Sequence, residues 1–186
     1  MKEAINQALE VLKNGGVILY PTDTDWGIGC DATNEESVNK IKVLLEAGSQ
    51  QSFTVLLDTE NKLQSYVSEV PDIAYDLIEY AEKPLTIIYS GAKNLAKNVI
   101  NADGTIGIRV IKNPFCEQLL QRFRKPIVCT TPNKSSQVAQ TFEDVSQEII
   151  DGVDYVVPLE QELTTTKEPP TIMKLDADGR FAFIRR

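Results

Sequence analysis

Residues 15–32 run GGVILYPTDTDWGIGCDA. Val17 to Tyr20 is a short, continuously apolar run, the pattern of a strand buried on both faces. Asn14-Gly15-Gly16 stops the helix before it, in which Ala4, Ile5, Ala8, Leu9, Val11 and Leu12 recur at helical spacing. After Pro21 the chain presents Thr22, Asp23 and Thr24, then an indole and two glycines. Gly27 and Gly29 permit close backbone approach or unusual dihedrals. A helix feeding a buried strand that opens into a hydroxyl-rich loop is a unit of α/β architecture, where ligands gather at strand ends. From its composition the loop has two readings. It is either a tight turn stabilised by Asx or Ser/Thr hydrogen bonds, or a place where hydroxyls and amides hold an amino acid or phosphate.

The same alternation continues outward. Asn34 caps a second helix, with Glu35 and Glu36 in its first turn and Val38, Ile41, Leu44 and Leu45 as its apolar stripe. Strands are expected at Phe53–Leu57, Leu85–Tyr89, Thr105–Ile111, Pro126–Thr130, Tyr155–Val157, Thr171–Leu175 and Phe181–Ile184. Helices are expected from Pro71, over Pro114–Phe123 and over Phe142–Ile150. Asp103-Gly104 and Asp178-Gly179 mark turns, the second closing a hairpin. Residues 160–170 are polar and proline-containing, hence a loop. No internal repeat or interdomain linker interrupts the chain, so residues 1–186 are expected to form one α/β domain with a mixed sheet and flanking helices.

Composition narrows the chemistry. The 186 residues contain no histidine and carry a net charge of −8. A Ser–His–Asp or Cys–His nucleophile and a His-ligated zinc are therefore excluded within the chain. Any catalysis rests on carboxylates, Lys/Arg electrostatics, hydroxyls, amides or a bound ion. The acidity argues against a generic nucleic-acid binder, whose footprint is usually basic. Cys30, Cys116 and Cys129 are far apart and form no CxxC pair, which fits reduced thiols in the cytoplasm. No apolar run approaches the ~20 residues of a membrane span, and no phosphate loop or dinucleotide fingerprint is present.

Three further stretches could carry function. In TIGIR, Arg109 closes an apolar strand; it is either an ion-pair partner or a fork for a carboxylate or phosphate. In PIVCTTPNKSSQVAQ, residues 126–140, a buried strand opens into hydroxyls, an amide and Lys134. PPTIMKL and FIRR place Thr171 at a strand start and Arg185 near the last residue.

In order, these segments resemble the YrdC-like family of threonylcarbamoyl-AMP synthases over nearly the whole chain. The strongest signature is GG, an apolar strand and PT[DE]Tx[YW]G; KPLTIIY, TIGIRV, PIVCTTPN, GVDYVV and PPTIMKL…FIRR follow where the family has its later motifs. The resemblance implies a single domain with a twisted, mixed β-sheet, flanking helices and a concave pocket. It implies an enzyme that joins L-threonine, bicarbonate and ATP, with magnesium held mainly by the phosphates and waters, into threonylcarbamoyl-AMP and pyrophosphate. It also implies tRNA modification as the purpose, tRNA or tRNA-modification proteins as partners, and RNA binding as an associated property. By that resemblance Thr22 contacts threonine and Arg109 pairs with its carboxylate. Thr131 and Asn133 line the threonine/ATP pocket, Thr105 belongs to the ATP site, and Arg185 lies near the nucleotide. No catalytic residue and no protein metal ligand is assigned.

One segment departs from the family. Its KxR motif normally stands in a stretch like IxxxKxRPxxKPLxVL, where this chain has IKVLLEAGSQQSFTVLL. The lysine and arginine positions are Leu45 and Ala47, the proline is Gly48, and the next Lys-Pro is Gln51-Ser52. Ser-Ala-Asn is replaced by Thr131-Pro132-Asn133, and the Ser-Thr near the end by Pro170-Thr171. Lys42, one helical turn before Leu45, and Lys134 are the candidates to compensate. Each lost charge-assisted contact is worth roughly 1.5–3 kcal/mol.

Overall fold

The computed structural model describes residues 1–47, 51–135, 137–163 and 167–186; Gly48 lies outside the described residues. Helix α1 (Lys2–Lys13) buries Ala4, Ile5, Ala8, Leu9 and Leu12, and ends at Asn14 and a left-handed Gly15. Its apolar stripe packs on α4 (Pro114–Phe123), which turns Phe115, Cys116, Leu119 and Leu120 inward. The Asn113 side chain caps α4 by accepting from the Phe115 and Cys116 amides. Asn34 does the same for α2 (Glu35–Leu44), accepting from Glu36 and Ser37.

The strands divide into two sheets. One has three strands: β2 (Trp26–Gly29), β1 (Ile18–Pro21) and β7 (Tyr155–Val156), in that order. The other has six, in the order β6 (Ile127–Cys129), β3 (Thr54–Leu57), β5 (Ile106–Val110), β4 (Leu85–Tyr89), β8 (Thr171–Leu175) and β9 (Phe181–Arg185). Both mix parallel and antiparallel pairs. Bridges Ile28↔Thr130 and Asp31↔Ile127 join β2 to β6, so the mixed sheet expected from sequence is a linked pair.

Strand β2 lies in the stretch taken from sequence as loop. Its glycines serve close approach rather than unusual dihedrals. A Cβ on Gly29 would sit 2.1 Å from the Val128 carbonyl oxygen, and one on Gly27 would sit 2.8 Å from Cys129 Sγ. The expected helix over 142–150 is also divided. Phe142–Asp144 forms a 3₁₀ turn closed by a Thr141–Asp144 capping box, and α5 covers Gln147–Gly152. Between them Val145 is extended, and its buried side chain joins the core.

Strand register sorts the six-stranded sheet into two faces. Val55, Leu57, Ile87, Tyr89, Ile106, Ile108, Met173 and Leu175 share one face and belong to the larger core, with Ala74 and Ile78 of α3 (Ile73–Glu79). The opposite face is different. Across β3, β5, β4 and β8 it carries Thr54, Leu56, Gly107, Arg109, Thr86, Ile88, Ile172 and Lys174. This hydroxyl-bearing face positions the candidate site.

Candidate functional site

Gly107 sits at the centre of the polar face. A Cβ there would meet Thr86 Cγ2 at 3.4 Å, Thr54 Oγ1 at 3.8 Å and Ile88 Cγ1 at 3.9 Å, so glycine leaves a shallow dent lined by one hydroxyl and two apolar groups. Thr86 is directly opposite Arg109 across the β4–β5 ladder, and its buried hydroxyl has no hydrogen-bond partner among the described residues. A buried hydroxyl left unpaired is costly, and a ligand group could satisfy it.

Arg109 is held by the loop after β1. It is only 4% exposed. Its Nε lies 3.2 Å from Asp23 Oδ1, and its Nη2 donates to Thr24 Oγ1 at 3.3 Å. Neither Arg109 Nε nor Asp23 Oδ1 completes a well-aligned hydrogen bond, so proximity of charge rather than directional bonding holds that contact. Burial alone would lower the Arg109 pKa. The neighbouring Asp23 carboxylate, the largest opposing influence, reverses that and keeps the guanidinium charged. Burial raises the Asp25 carboxyl above the usual carboxylate range, although the hydrogen bond from Thr24 Oγ1 (2.7 Å) and the Arg109 charge pull the other way. Burial likewise pushes the Cys129 thiol up to about 11, so it is a protonated packing group at neutral pH.

Thr22 is completely buried and engaged within its own turn. Its hydroxyl donates to the Asp25 carbonyl at 2.7 Å and accepts from the amides of Thr24 and Asp25. Lys167, a residue that the sequence reading did not single out, donates to the Thr22 carbonyl and to Glu160. Thr105 donates to Asp103 Oδ1 at 2.6 Å and accepts from Asn101. Asn133 donates to the Gln137 and Asp144 carbonyls, bracing the loop after β6, while Thr131 beside it is half-buried. Arg185 donates to the Pro170 carbonyl from the edge strand. Three strand spacings separate β9 from β5, about 14 Å, so Arg185 and Arg109 serve different ends of the face. The structure thus brings Thr22 and Arg109 together through Thr24, sets Thr105 immediately before the strand of Arg109, engages Asn133 within the loop after β6, and leaves Arg185 apart from that cluster.

The aligned cation positions have changed character. Leu45 is 1% exposed and part of the core, and Ala47 packs against it. Gln51 donates to Thr130 Oγ1 at 3.3 Å. Lys42 stacks over the Phe53 ring at 5.5 Å. Lys134 is clasped between Glu46 (2.5 Å) and Glu148 (2.8 Å), hydrogen bonds that raise its pKa. Among the described residues no group of three or more His, Cys, Asp and Glu is placed to hold a metal ion, and no helix is long and apolar enough to cross a membrane.

The residues missed in sequence are Asp23 and Asp25 as partners of Arg109, Thr54 and Thr86 on the polar face, and Lys167. The alternating Thr-Asp-Thr-Asp was the available signal for the first pair. Nothing local to Arg109 shows that its partner stands 86 positions earlier.

Comparison with known proteins gives a consistent relationship. A family model of Sua5, YciO and YrdC proteins, described as "Telomere recombination", matches residues 10–186. A threonylcarbamoyl-AMP synthase of Pseudoalteromonas translucida is 28% identical over 175 residues, 92% of each chain. The uncharacterized protein YciO of Escherichia coli is 30% identical over 129 residues, 68% of this chain and 62% of that one. The crystal structure of E. coli YciO superposes with a TM-score of 0.84, covering 100% of this chain and 90% of that one at 24% identity. P. abyssi Sua5 complexed with L-threonine superposes with a TM-score of 0.83 at 18% identity, covering 92% of this chain and 50% of that one.

Proposed function

The chain belongs to the Sua5/YciO/YrdC family, and from that premise we propose that it is an altered-activity paralogue of the threonylcarbamoyl-AMP synthases. In this reading it binds a small polar ligand carrying at most one phosphate on the face around Gly107, and does not adenylate threonine. One observation carries the reading. The family's cations are replaced at Leu45, Ala47 and Gln51, and the two cations that could meet a ligand anion in their stead, Arg109 and Lys134, are each paired with the chain's own carboxylates.

The chemistry explains why this matters. Adenylation builds charge on the α-phosphate and releases pyrophosphate, so it depends on positioned cations more than on acid–base groups. A ligand carboxylate at Arg109 would have to share the guanidinium with Asp23, which already stands against its Nε in a buried contact. Magnesium would bring charge with a triphosphate, but the surrounding side chains would add little to it. What the face keeps is Thr54, the unpartnered Thr86 hydroxyl, Lys174 and, beside Ile172 at the edge, Arg185. Those groups suit a nucleoside, a nucleoside monophosphate or an amino acid.

Thermal unfolding in the presence of adenosine, AMP, Mg-ATP or L-threonine tests the proposal. We expect adenosine, AMP or threonine to raise the midpoint at least as far as Mg-ATP at equal concentration. A shift confined to Mg-ATP, or no shift with any of them, overturns it. The second reading is an active synthase using threonine, bicarbonate and ATP and serving tRNA modification. The motif order along the whole chain and the full-length similarity to a named synthase favour it.

A further inference from the structure

Strand β9 is the outer strand of the six-stranded sheet, and all five of its residues are exposed. Phe181, Phe183 and Ile184 are 50%, 44% and 60% exposed. Phe181 and Phe183 form an edge-to-face pair with centroids 5.9 Å apart, and the Arg186 guanidinium lies 4.4 Å above the Phe183 ring. Phe183 also walls a groove of about 520 Å³ that runs between β8 and α3, with Ile73, Leu77, Tyr80 and Met173. An edge strand with a free row of backbone donors and acceptors and exposed aromatics is a template for another strand. Lysine and proline, which commonly blunt such edges, are absent from Phe181–Arg185, and its one register shift lies opposite Ile172/Met173, beyond the Phe181–Phe183 stretch.

We propose that β9 is the seam of a two-fold homodimer, in which it pairs antiparallel with β9 of a second copy, Ala182 facing Ala182. Charge selects that occupant and that register. With Ala182 on the two-fold axis, Phe181 of each copy faces Phe183 of the other, so four rings cluster on one side of the joined sheets. Carried past the extra residue at Ile184, the same register brings Arg186 of each copy within one residue of a position opposite Asp178 of the other, on the hairpin turn, a span the long arginine side chain covers. Sliding the axis to Phe183 would set Arg186 against Arg180 and lose both features. Isologous pairing of this kind closes on itself and leaves no growing edge. Within one copy Asp178 holds Arg180 at 2.7 Å, an exposed contact that dimerisation would extend to a second cation.

Sedimentation velocity over a dilution series tests the seam. The full chain is expected to sediment as a dimer that dissociates on dilution. Asp178→Arg and Arg186→Asp, each alone, should weaken it about ten-fold by opposing like charges, and the double variant should recover the wild-type constant. Phe181→Glu, at a half-exposed position, should leave only monomer with an unchanged unfolding midpoint. A wild-type chain of monomer mass at every accessible concentration overturns the proposal. So does a dimer that either single charge reversal leaves intact, or that the double reversal fails to restore.

Discussion

Arg109 and Lys134 have the same formal situation and opposite physical ones. Each is a cation at the end of a strand or just beyond it, and each is met by carboxylates of its own chain. Arg109 is buried with Asp23, in a setting where removing one partner strands the other in low dielectric. Lys134 lies at the surface between two glutamates that are themselves mostly exposed, where salt and water weaken the attraction. The contrast separates two ways of pairing a cation within the chain. At Arg109 the guanidinium is part of the architecture that shapes the loop after β1. At Lys134 the charge is merely screened and can be released.

The buried pair carries the greater energy. Arg109→Ala should destabilise the fold by about 3–5 kcal/mol, because it leaves Asp23 charged and unpaired. Asp23→Asn introduced with it should return a substantial part, which a denaturant-based double-mutant cycle measures. Restoring the family's lysine at Leu45 should cost about 2–4 kcal/mol, since the position is now core. Gln51→Lys, at a half-buried polar position, should change stability by less than about 0.5 kcal/mol and tighten Mg-ATP about ten-fold, the weight of one charge-assisted contact. Titration calorimetry on the two variants separates these outcomes.

A pH series sharpens the comparison further. Burial raises the Asp25 pKa in the folded state, so the native protein holds this proton more tightly than the unfolded chain. Stability attributable to Asp25 is therefore greatest below its unfolded value and declines as pH rises through the raised folded value. Asp25→Asn removes that decline. The stability of the variant relative to wild type should rise across this window and level off above it. The smallest effect belongs to the exposed side: Lys134→Ala should shift stability by less than about 1 kcal/mol, and less at high salt.

Much of the scaffold was legible because its signals are local. Asn34 and Pro114 announced their helices, the run Val17–Tyr20 its strand, and Asp178-Gly179 its hairpin. Strand β2 was not, because Trp-Gly-Ile-Gly has the composition of a turn; its glycines are there to let the Val128 carbonyl approach. The division of residues 142–152 was missed because helical spacing continues through Val145, whose extended backbone follows from a tertiary contact. The site was legible as a set of stretches but not as a circuit. Thr22 and Thr105 were expected to face ligands, and both hydroxyls close their own turns. Leu45 was read as part of the apolar stripe and as a lost cation, and its burial accounts for both.

Pyrophosphate release in the presence of L-threonine, bicarbonate and Mg-ATP, run beside an active synthase, decides whether the paired and replaced cations leave this scaffold unable to adenylate threonine. The expected result is release indistinguishable from the protein-free background, from protein that is fully folded by its thermal transition. Release that depends on threonine, bicarbonate and ATP together, and scales with protein concentration, would contradict it.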